Sequence, residues 1–380
     1  MKVLIVHNRY LTKNIGGEDI VFENELSLLR DKLGIDNVYS YEVSNDNINK
    51  FFLLFSIWFS FKHFFLIKQI VKNESIDVVH VHNFYPSLTP SVFLAAKRAG
   101  AKVVHTLHNY RFWCISGILY LDNSGICERC VKKRFPLSGI FNRCYRHNYF
   151  QSFLAQLTFQ FYKLTGAFNS IDCFFVLTSF QKNKVLSFGL PVEKVILKHN
   201  CIDVVRMPNV SKSGYIFVGR LEKSKGILVL LDVWSKLDNN LVLTIVGGGE
   251  LEKELRERYS QNNIIFLGKC SREVTQDLIS KSKYLIQPSL LFETFGLTII
   301  EAMSLRTPVI GFEIGTRTDF IKHKENGFLC NPGSLSKTII ESYDYSHYGL
   351  MSENAYHKSL LFSDTTVISQ QVSIYRSLIG

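Results

Sequence analysis

Short apolar runs alternate with amphipathic stretches through the first half of this chain. Lys2-Val-Leu-Ile-Val-His7 is a run of the kind that forms a strand buried on both faces of a parallel sheet. A loop containing Gly16-Gly17 follows. Val21, Phe22, Leu26 and Leu29 then recur at helical spacing, which predicts a helix from about Glu18 to Lys32. The alternation continues with a strand at Ile76–Val81, a helix at Thr89–Ala99, and strands at Lys102–Leu107 and Cys173–Thr178. Strands separated by helices predict a parallel sheet covered on both faces.

The pattern then restarts. Lys194 to Asp203 leads the chain out of the first unit, and Ser211-Lys-Ser-Gly214 is polar and turn-like. Tyr215–Arg220 reads as a new strand, followed by a helix over Gly226–Leu237, a strand at Leu241–Val246 and a helix around Leu251–Tyr259. Ile264–Phe266, Tyr284–Gln287 and Pro308–Gly311 complete the strands, with a helix over Gly296–Leu305 between the last two. The fold class is therefore α/β, with two doubly wound, Rossmann-like domains over residues 1–200 and 201–380 joined near 200–213. The last helix is a candidate to return to the first domain. A cleft between two such sheets is the natural ligand site, because ligands bind beyond the carboxyl ends of the strands.

Composition narrows the class. With 46% hydrophobic residues, 20% charged, 8 Pro and 23 Gly in 380 residues, the chain is not disordered, collagen-like or of low complexity. The longest uncharged apolar run, Phe51 to Phe61, is far short of the ~20 residues that span a bilayer. Met1-Lys-Val-Leu-Ile-Val-His7 begins like a buried strand and no small-residue cleavage site follows, so the expected location is cytoplasmic. The net charge is +11, and it is uneven: residues 1–205 carry 24 Lys+Arg against 15 Asp+Glu, and the remainder 20 against 18. A basic first half suits nucleic acid, an anionic membrane or phosphorylated ligands. The sequence has no nucleic-acid-binding motif, so nucleic acid is not an expected partner.

The sharpest chemical signal is Leu291-Phe-Glu293-Thr-Phe295-Gly296-Leu297-Thr-Ile-Ile-Glu301-Ala-Met. A loop carboxylate precedes a glycine, and a helix then starts whose first N–H groups and dipole suit a bound phosphate. Glu301 lies about two turns into that helix. Arg220 leaves a strand end and Lys225 follows one short loop later, so a fork and a point charge can converge on one diphosphate.

These residues resemble the signature of retaining GT-B glycosyltransferases, specifically glycosyltransferase family 4. Glu293 and Glu301 hold its paired-glutamate positions before Ala-Met. Gly16-Gly17-Glu18 is similar to its N-terminal glycine loop, Thr106-Leu-His108-Asn to its histidine segment, and Val218-Gly-Arg220-Leu-Glu-x2-Lys225-Gly226 to its Gly-Arg-Leu…Lys-Gly segment. Val246-Gly-Gly248-Gly-Glu250, Phe266-Leu-Gly268, Gln287-Pro-Ser289 and Asn326-Gly-Phe328 follow in the expected order. The resemblance spans nearly the whole chain and implies a GT-B fold, two Rossmann-like domains facing across a cleft. It implies a hexosyltransferase-type enzyme that moves a sugar, with retention, from a nucleotide diphosphate sugar to a lipid-linked or growing surface glycan, such as O-antigen, capsule or exopolysaccharide.

The same resemblance assigns roles. His108, Arg220, Lys225 and Glu293 are the expected catalytic group. Gly16, Gly17, Gly248, Phe295, Gly296, Leu297 and Glu301 are expected to bind the donor, Glu301 through ribose hydroxyls and Glu293 through donor-sugar hydroxyls. Because the leaving diphosphate gains charge, positive groups preorganised around it are the largest expected catalytic contribution. Front-face attack, with the departing phosphate taking the acceptor's proton, needs no dedicated protein base, and no cofactor or catalytic metal is expected. His80 and His82, at another strand end, read either as structural residues or as lining for the acceptor. Lys198-His199-Asn-Cys201-Ile-Asp203 and Gly315-Thr-Arg-Thr-Asp319 depart from the family's usual Pro-Asn-Gly and Pro-Glu segments. A sugar-nucleotide 2-epimerase of the same fold and a catalytically silent binding subunit are the rival readings; the combined Gly-Arg-Leu…Lys-Gly and Glu-x7-Glu-Ala-Met segments argue against the first, and retention of Arg220, Lys225 and Glu293 against the second.

Two features stand apart from that signature. Cys114-x12-Cys127-x2-Cys130-x13-Cys144, in an insertion over about 111–147, fits either a structural four-thiolate zinc site or thiols in an inserted loop. Phe51-Phe-Leu-Leu-Phe-Ser-Ile-Trp58-Phe-Ser-Phe61-Lys-His-Phe-Phe-Leu66 is rich in aromatics, and Arg129 to Arg146 carries six cations and no acid. Aromatics beside cations match a peripheral contact with the inner-membrane surface, the alternative being a buried helix beside a solvated basic loop.

Overall fold

Unbroken runs of buried side chains form the inner strands of two six-stranded parallel sheets in the computed structural model, which describes residues 1–9, 16–46, 50–203, 210–238 and 240–380. The first sheet contains β1 (Val3–Arg9), β2 (Val38–Ser44), β3 (Val78–Asn83) and β4 (Lys102–Thr106). The antiparallel hairpin of β5 (Tyr120–Leu121) and β6 (Gly125–Ile126) follows in the chain, and then β7 (Cys173–Val176) and β8 (Val195–Leu197). The spatial order is β2-β1-β3-β4-β7-β8. The second sheet runs β11-β10-β9-β12-β13-β14, from β9 (Tyr215–Val218), β10 (Leu243–Val246), β11 (Ile264–Gly268), β12 (Tyr284–Gln287), β13 (Val309–Phe312) and β14 (Gly327–Cys330). Both are doubly wound α/β sheets. The predicted inner strands stand within a few residues of their expected bounds.

Strands β2, β8 and β14 lie beyond what the apolar pattern announces. β2 alternates buried and half-exposed positions at a sheet edge, and β8 has three residues. Neither gives the continuous apolar run by which the central strands are recognised.

The chain folds as two units. One comprises Met1–Ile118, Glu128–Cys201 and Asp364–Gly380, and the other Leu119–Cys127 and Ile202–Ser363. The linker expected near 200–213 falls partly on 204–209, outside the described residues. The core of the first unit joins Val3, Ile5, Phe22, Val78, Val104 and Phe175 to Val367, Ile368 and Val372 of the Asp364–Ile379 helix. That of the second gathers Tyr215, Phe217, Leu230, Trp234, Ile286, Ile310 and Phe328. Parallel strands buried on both faces place their apolar side chains against helices above and below, and this burial is the main favourable contribution to folding.

Strand order fixes where ligands can bind. In the first sheet the winding reverses between β1 and β3, and in the second between β9 and β12, so each carboxyl edge opens a crevice there. At the first crevice the β1–β3 register shifts between Val6 and His7, so His7 opposes Asn83 and His82 is left as the extra residue. Such a bulge re-aims side chains at a strand end. At the second, the backbone of Gly226 passes the β12 loop so closely that a Cβ there would lie 1.9 Å from the Pro288 carbonyl oxygen, with φ at +70°.

Gly226→Ala is therefore expected to destabilise the second unit by more than ~1 kcal/mol, because both the left-handed backbone and the close approach exclude a side chain. Gly333→Ala, where a Cβ meets nothing within 4 Å, is the control and should leave the urea midpoint nearly unchanged. Equal midpoints for the two variants would refute this account of the loop.

Candidate active site

The crevice of the second unit is built from two loops at the carboxyl ends of β9 and β12. After β9 the chain passes Gly219-Arg220, makes a short turn over Lys223–Lys225 and enters the Ile227–Trp234 helix at Gly226. After β12 it runs through Pro288 to Gly296, which caps the Leu297–Ser304 helix in the left-handed conformation at φ 91°. Leu290 N–H donates to the Ser224 carbonyl at 2.9 Å and ties the two loops together.

That juxtaposition brings Lys225 Nζ within 2.6 Å of Glu293 Oε1. Ser289 Oγ donates to the same oxygen at 2.8 Å, and Gln287 Nε2 lies 3.3 Å from it. Beneath them Arg317 is fully buried and spends its guanidinium on the loop: Nη1 donates to Gln287 Oε1 at 3.0 Å, Nη2 to the Ser289 carbonyl at 2.7 Å, and Nε to the Phe312 carbonyl at 2.8 Å. Burial pushes the Glu293 carboxyl up, but the Lys225 ammonium, the Arg317 guanidinium and the Ser289 hydroxyl outweigh it and hold the pKa at about 2. Burial lowers Arg317 to about 10, against the pull of Glu293, so it remains charged at neutral pH. The result is an ionised carboxylate on a buried cationic base, fixed before any ligand arrives.

The other predicted residues are placed differently. Arg220 is exposed, 68% by side chain, and pairs with Glu222 at 3.1 Å rather than with the Lys225–Glu293 group. Gly248 backs its loop, since its carbonyl accepts from Leu221 N–H at 3.0 Å. Phe295 is buried against the rings of Phe320 and Phe362, 5.2 and 5.9 Å away, so its side chain anchors the loop from behind. Leu297 opens the helix, and Glu301, half-buried on it, has its carboxyl raised by burial with Arg272 opposing. Arg317 was not among the expected site residues. It lies in the divergent Gly315–Asp319 segment, where a charged residue gives no sign of being buried.

In the first unit, Gly16 caps and Gly17 begins the Gly17–Leu33 helix, and Asp19 Oδ2 accepts from Gly16 N–H at 2.8 Å while its Oδ1 meets His7 Nε2 at 2.8 Å. Asn109 Nδ2 donates to Glu18 Oε1 at 2.9 Å and connects that helix start to the histidine segment. His108 lines a small pocket with His82, Asn83, Tyr85, Asn109 and Arg111. Its Nε2 is 2.9 Å from His82 Nδ1, and the two rings lie edge to edge, with centroids 5.1 Å apart and planes 25° apart. His80 does not reach that pocket: its ring nitrogens meet Thr106 Oγ1 at 2.7 Å and the Tyr375 hydroxyl at 2.6 Å.

All eight cysteines are thiols. Cys127 sits at the end of the β5–β6 hairpin, which belongs to the second unit, whereas Cys114, Cys130 and Cys144 belong to the first. Cys114 Sγ lies 3.1 Å from Ser116 Oγ. Among the described residues no three of these four thiols lie at ion-binding spacing from one another. The cluster with ion-like spacing is instead Glu25, His80 and His82. There the carboxylate already pairs with Lys198 Nζ at 2.5 Å, an ammonium that would repel a divalent ion.

Comparison with known proteins agrees with this architecture. Residues 31–206 match the family described as Glycosyltransferase Family 4, and residues 208–356 that described as Glycosyl transferases group 1. The O-antigen chain mannosyltransferase C of Escherichia coli is 25% identical, covering 100% of this chain and 99% of its own. The D-rhamnosyltransferase WbpZ of Pseudomonas aeruginosa is 35% identical over 31% of this chain and 32% of its own. The crystal structure of Anabaena Alr3699/HepE in complex with UDP superposes with a TM-score of 0.67 at 15% identity, over 99% of this chain and 100% of that one. The fold is GT-B.

The Lys225–Glu293 pair predicts an acid signature. A carboxyl of ordinary pKa 4.5 held at about 2 contributes stability that is complete above 4.5 and lost as the pH falls through 2. Lys225→Met removes the largest opposing charge and lets burial raise the carboxyl, so the Glu293-linked loss of stability below pH 4.5 should shrink, and change sign if the carboxyl passes above 4.5. Urea midpoints between pH 2 and 6 measure this. Parallel acid arms in wild type and variant would contradict the pairing.

Proposed function

Because this chain belongs to the group 1 glycosyltransferases, with a family 4 N-terminal half, we propose that it transfers a sugar with retention from a nucleoside diphosphate sugar to a lipid-linked or growing surface glycan. The observation that carries this reading is the Lys225–Glu293 pair, at 2.6 Å, at the point where the second sheet reverses its winding. Glu293 presents an acceptor-only carboxylate to hydroxyls of the donor sugar, and Glu301 accepts from the ribose hydroxyls. Lys225 is preorganised beside it as a point charge, and exposed Arg220 supplies a fork that can close on the diphosphate. As the bond from the anomeric carbon to the phosphate oxygen breaks, the electron pair goes to the diphosphate, where these cations stabilise it. The acceptor oxygen bonds to the same face of the anomeric carbon, and its proton passes to the departing phosphate. His108 contacts the donor sugar or acceptor from the first unit, and no catalytic metal enters this scheme.

The acceptor side is read as membrane-facing. Phe51, Phe52 and Phe55 on the Lys50–Ser56 helix, and Phe61 and Phe65 on the Phe61–Asn73 helix, are all more than 60% exposed. Trp58 packs edge-on against Phe161 at 5.6 Å, so this face continues onto the Tyr149–Leu164 helix, where Tyr149 and Phe150 are also exposed. Arg143 lies over the Tyr149 ring at 5.3 Å. An apolar patch of aromatics beside cations is unusual on a water-facing surface and supports peripheral contact with an anionic leaflet, at about 1 kcal/mol per cation. Among the described residues no helix is long and apolar enough to cross a membrane. The Escherichia coli relative's name, an O-antigen chain mannosyltransferase, supports a surface glycan as acceptor and puts mannose nucleotides first among donors to test.

The test incubates the protein with UDP-, GDP- and ADP-sugars and a membrane extract, and follows nucleoside diphosphate release. Release that needs the extract and falls by at least ~100-fold in Glu293→Ala, the scale of losing one preorganised electrostatic group, is expected. Conversion of the free nucleotide sugar to its 2-epimer would instead support the rival reading. Phe51→Ser/Phe52→Ser/Phe55→Ser should reduce flotation with vesicles containing anionic lipid while leaving soluble nucleotide binding intact. Undiminished flotation would remove the membrane from this reading.

A further inference from the structure

The carboxylate of Glu25, 1% exposed, is a buried hub of the first unit. Its Oε2 pairs with Lys198 Nζ at 2.5 Å. Its Oε1 receives Gln371 Nε2 at 2.6 Å and lies 3.1 Å from both His82 Nε2 and His80 Nδ1. Burial alone would raise this carboxyl, but Lys198 and the two histidines pull it well below the ordinary range, so it is ionised and can only accept. The nitrogen of His82 that faces it must therefore donate. Burial keeps His82 neutral, with a pKa of about 4, and a neutral imidazole carries one proton. With that proton on Nε2, His82 Nδ1 is an acceptor, and the hydrogen bond at 2.9 Å must be donated by His108 Nε2.

We propose that Glu25 and His82 form a positioning relay that fixes His108 in its Nε2–H tautomer, so that its Nδ1 can only accept. The inference rests on the reading of His108 as a substrate contact. It adds which of its ring nitrogens donates and which can only accept, and the residues that decide it. A hydroxyl can donate to Nδ1, whereas a carbonyl or phosphate oxygen finds no proton there. Neither Glu25 nor His82 touches substrate in this scheme. Their effect passes through the orientation and tautomer of the next ring, as a carboxylate does for a metal-bound histidine.

The last helix of the first unit is part of the device. Gln371 donates to the hub carboxylate across 346 residues of sequence, and its Nε2 also lies 2.6 Å from the Tyr375 hydroxyl, which reaches His80. Lys198 directly follows β8. The ammonium neutralises a carboxylate that would otherwise be alone in the core.

The test is carbon-13 NMR of protein labelled at histidine, since the ring-carbon shifts separate the two neutral tautomers. The His108 signal is identified by its loss in His108→Gln. An Nε2–H tautomer in wild type is expected, and an Nδ1–H tautomer or an imidazolium there overturns the relay without any further variant. His82→Phe should remove the bias and lower kcat by roughly 10–100-fold, as when a ligating histidine loses its outer partner, with nucleoside diphosphate binding unchanged. His82→Asn offers an amide oxygen in place of Nδ1 and should restore both the tautomer and most of the rate. Unchanged tautomer and rate in His82→Phe would refute the relay while leaving the assignment of His108 standing. Full activity in His108→Gln would refute that assignment instead, with the wild-type tautomer still deciding whether the relay exists.

Discussion

A carboxylate in the middle of an apolar unit is tolerable only if its charge is answered, and the first unit of this protein is arranged around that requirement. Glu25 comes from the first helix, Lys198 from the end of the last strand, His82 from the bulged end of β3, and Gln371 from the final helix. Removing Lys198 would leave the buried carboxylate without its counter-charge, which typically destabilises by ~3–5 kcal/mol. The interaction therefore holds four distant segments to one geometry more strictly than apolar packing would, because hydrogen bonds constrain direction as well as distance. The histidine segment that ends in His108 inherits that rigidity.

The second unit solves a similar problem with different parts. Glu293 lies near the surface, 14% exposed by side chain, and its charge is answered by Lys225 from the facing loop and Arg317 from below. Arg317 pays for its own burial with four carbonyl and amide oxygens: those of Phe312, Gln287, Ser289 and Leu291. A planar fork can satisfy such a set where a lysine could not. The loop after β12 is thereby fixed around a cation, and the departure from the usual Pro-Glu segment nearby coincides with this internal brace.

The two units share one principle. In each, the reversal of strand order opens a crevice at the carboxyl edge of the sheet, and an ionised carboxylate held by a lysine stands at or behind it. In the second unit the pair faces the crevice. In the first it is buried and its influence reaches the pocket through a histidine. Preorganisation of this kind means that charges and lone pairs are already oriented when substrate arrives, so little reorganisation is left for the reaction itself.

The sequence by itself determined the α/β class and the central strands, because apolar runs of strand length between amphipathic helices have few other solutions. It also exposed Lys225, Glu293 and Glu301, whose spacing around a strand end, a glycine and a helix start is local and so readable in order. Only the tertiary structure decided which charges meet. Nothing local reveals the burial of Arg317 and Lys198, and Glu25 finds partners 173 and 346 positions away. The cysteines teach the same lesson in reverse. Their spacing suits a metal, yet the group with ion-like spacing among the described residues is Glu25, His80 and His82, because spacing along a chain does not fix distance across it.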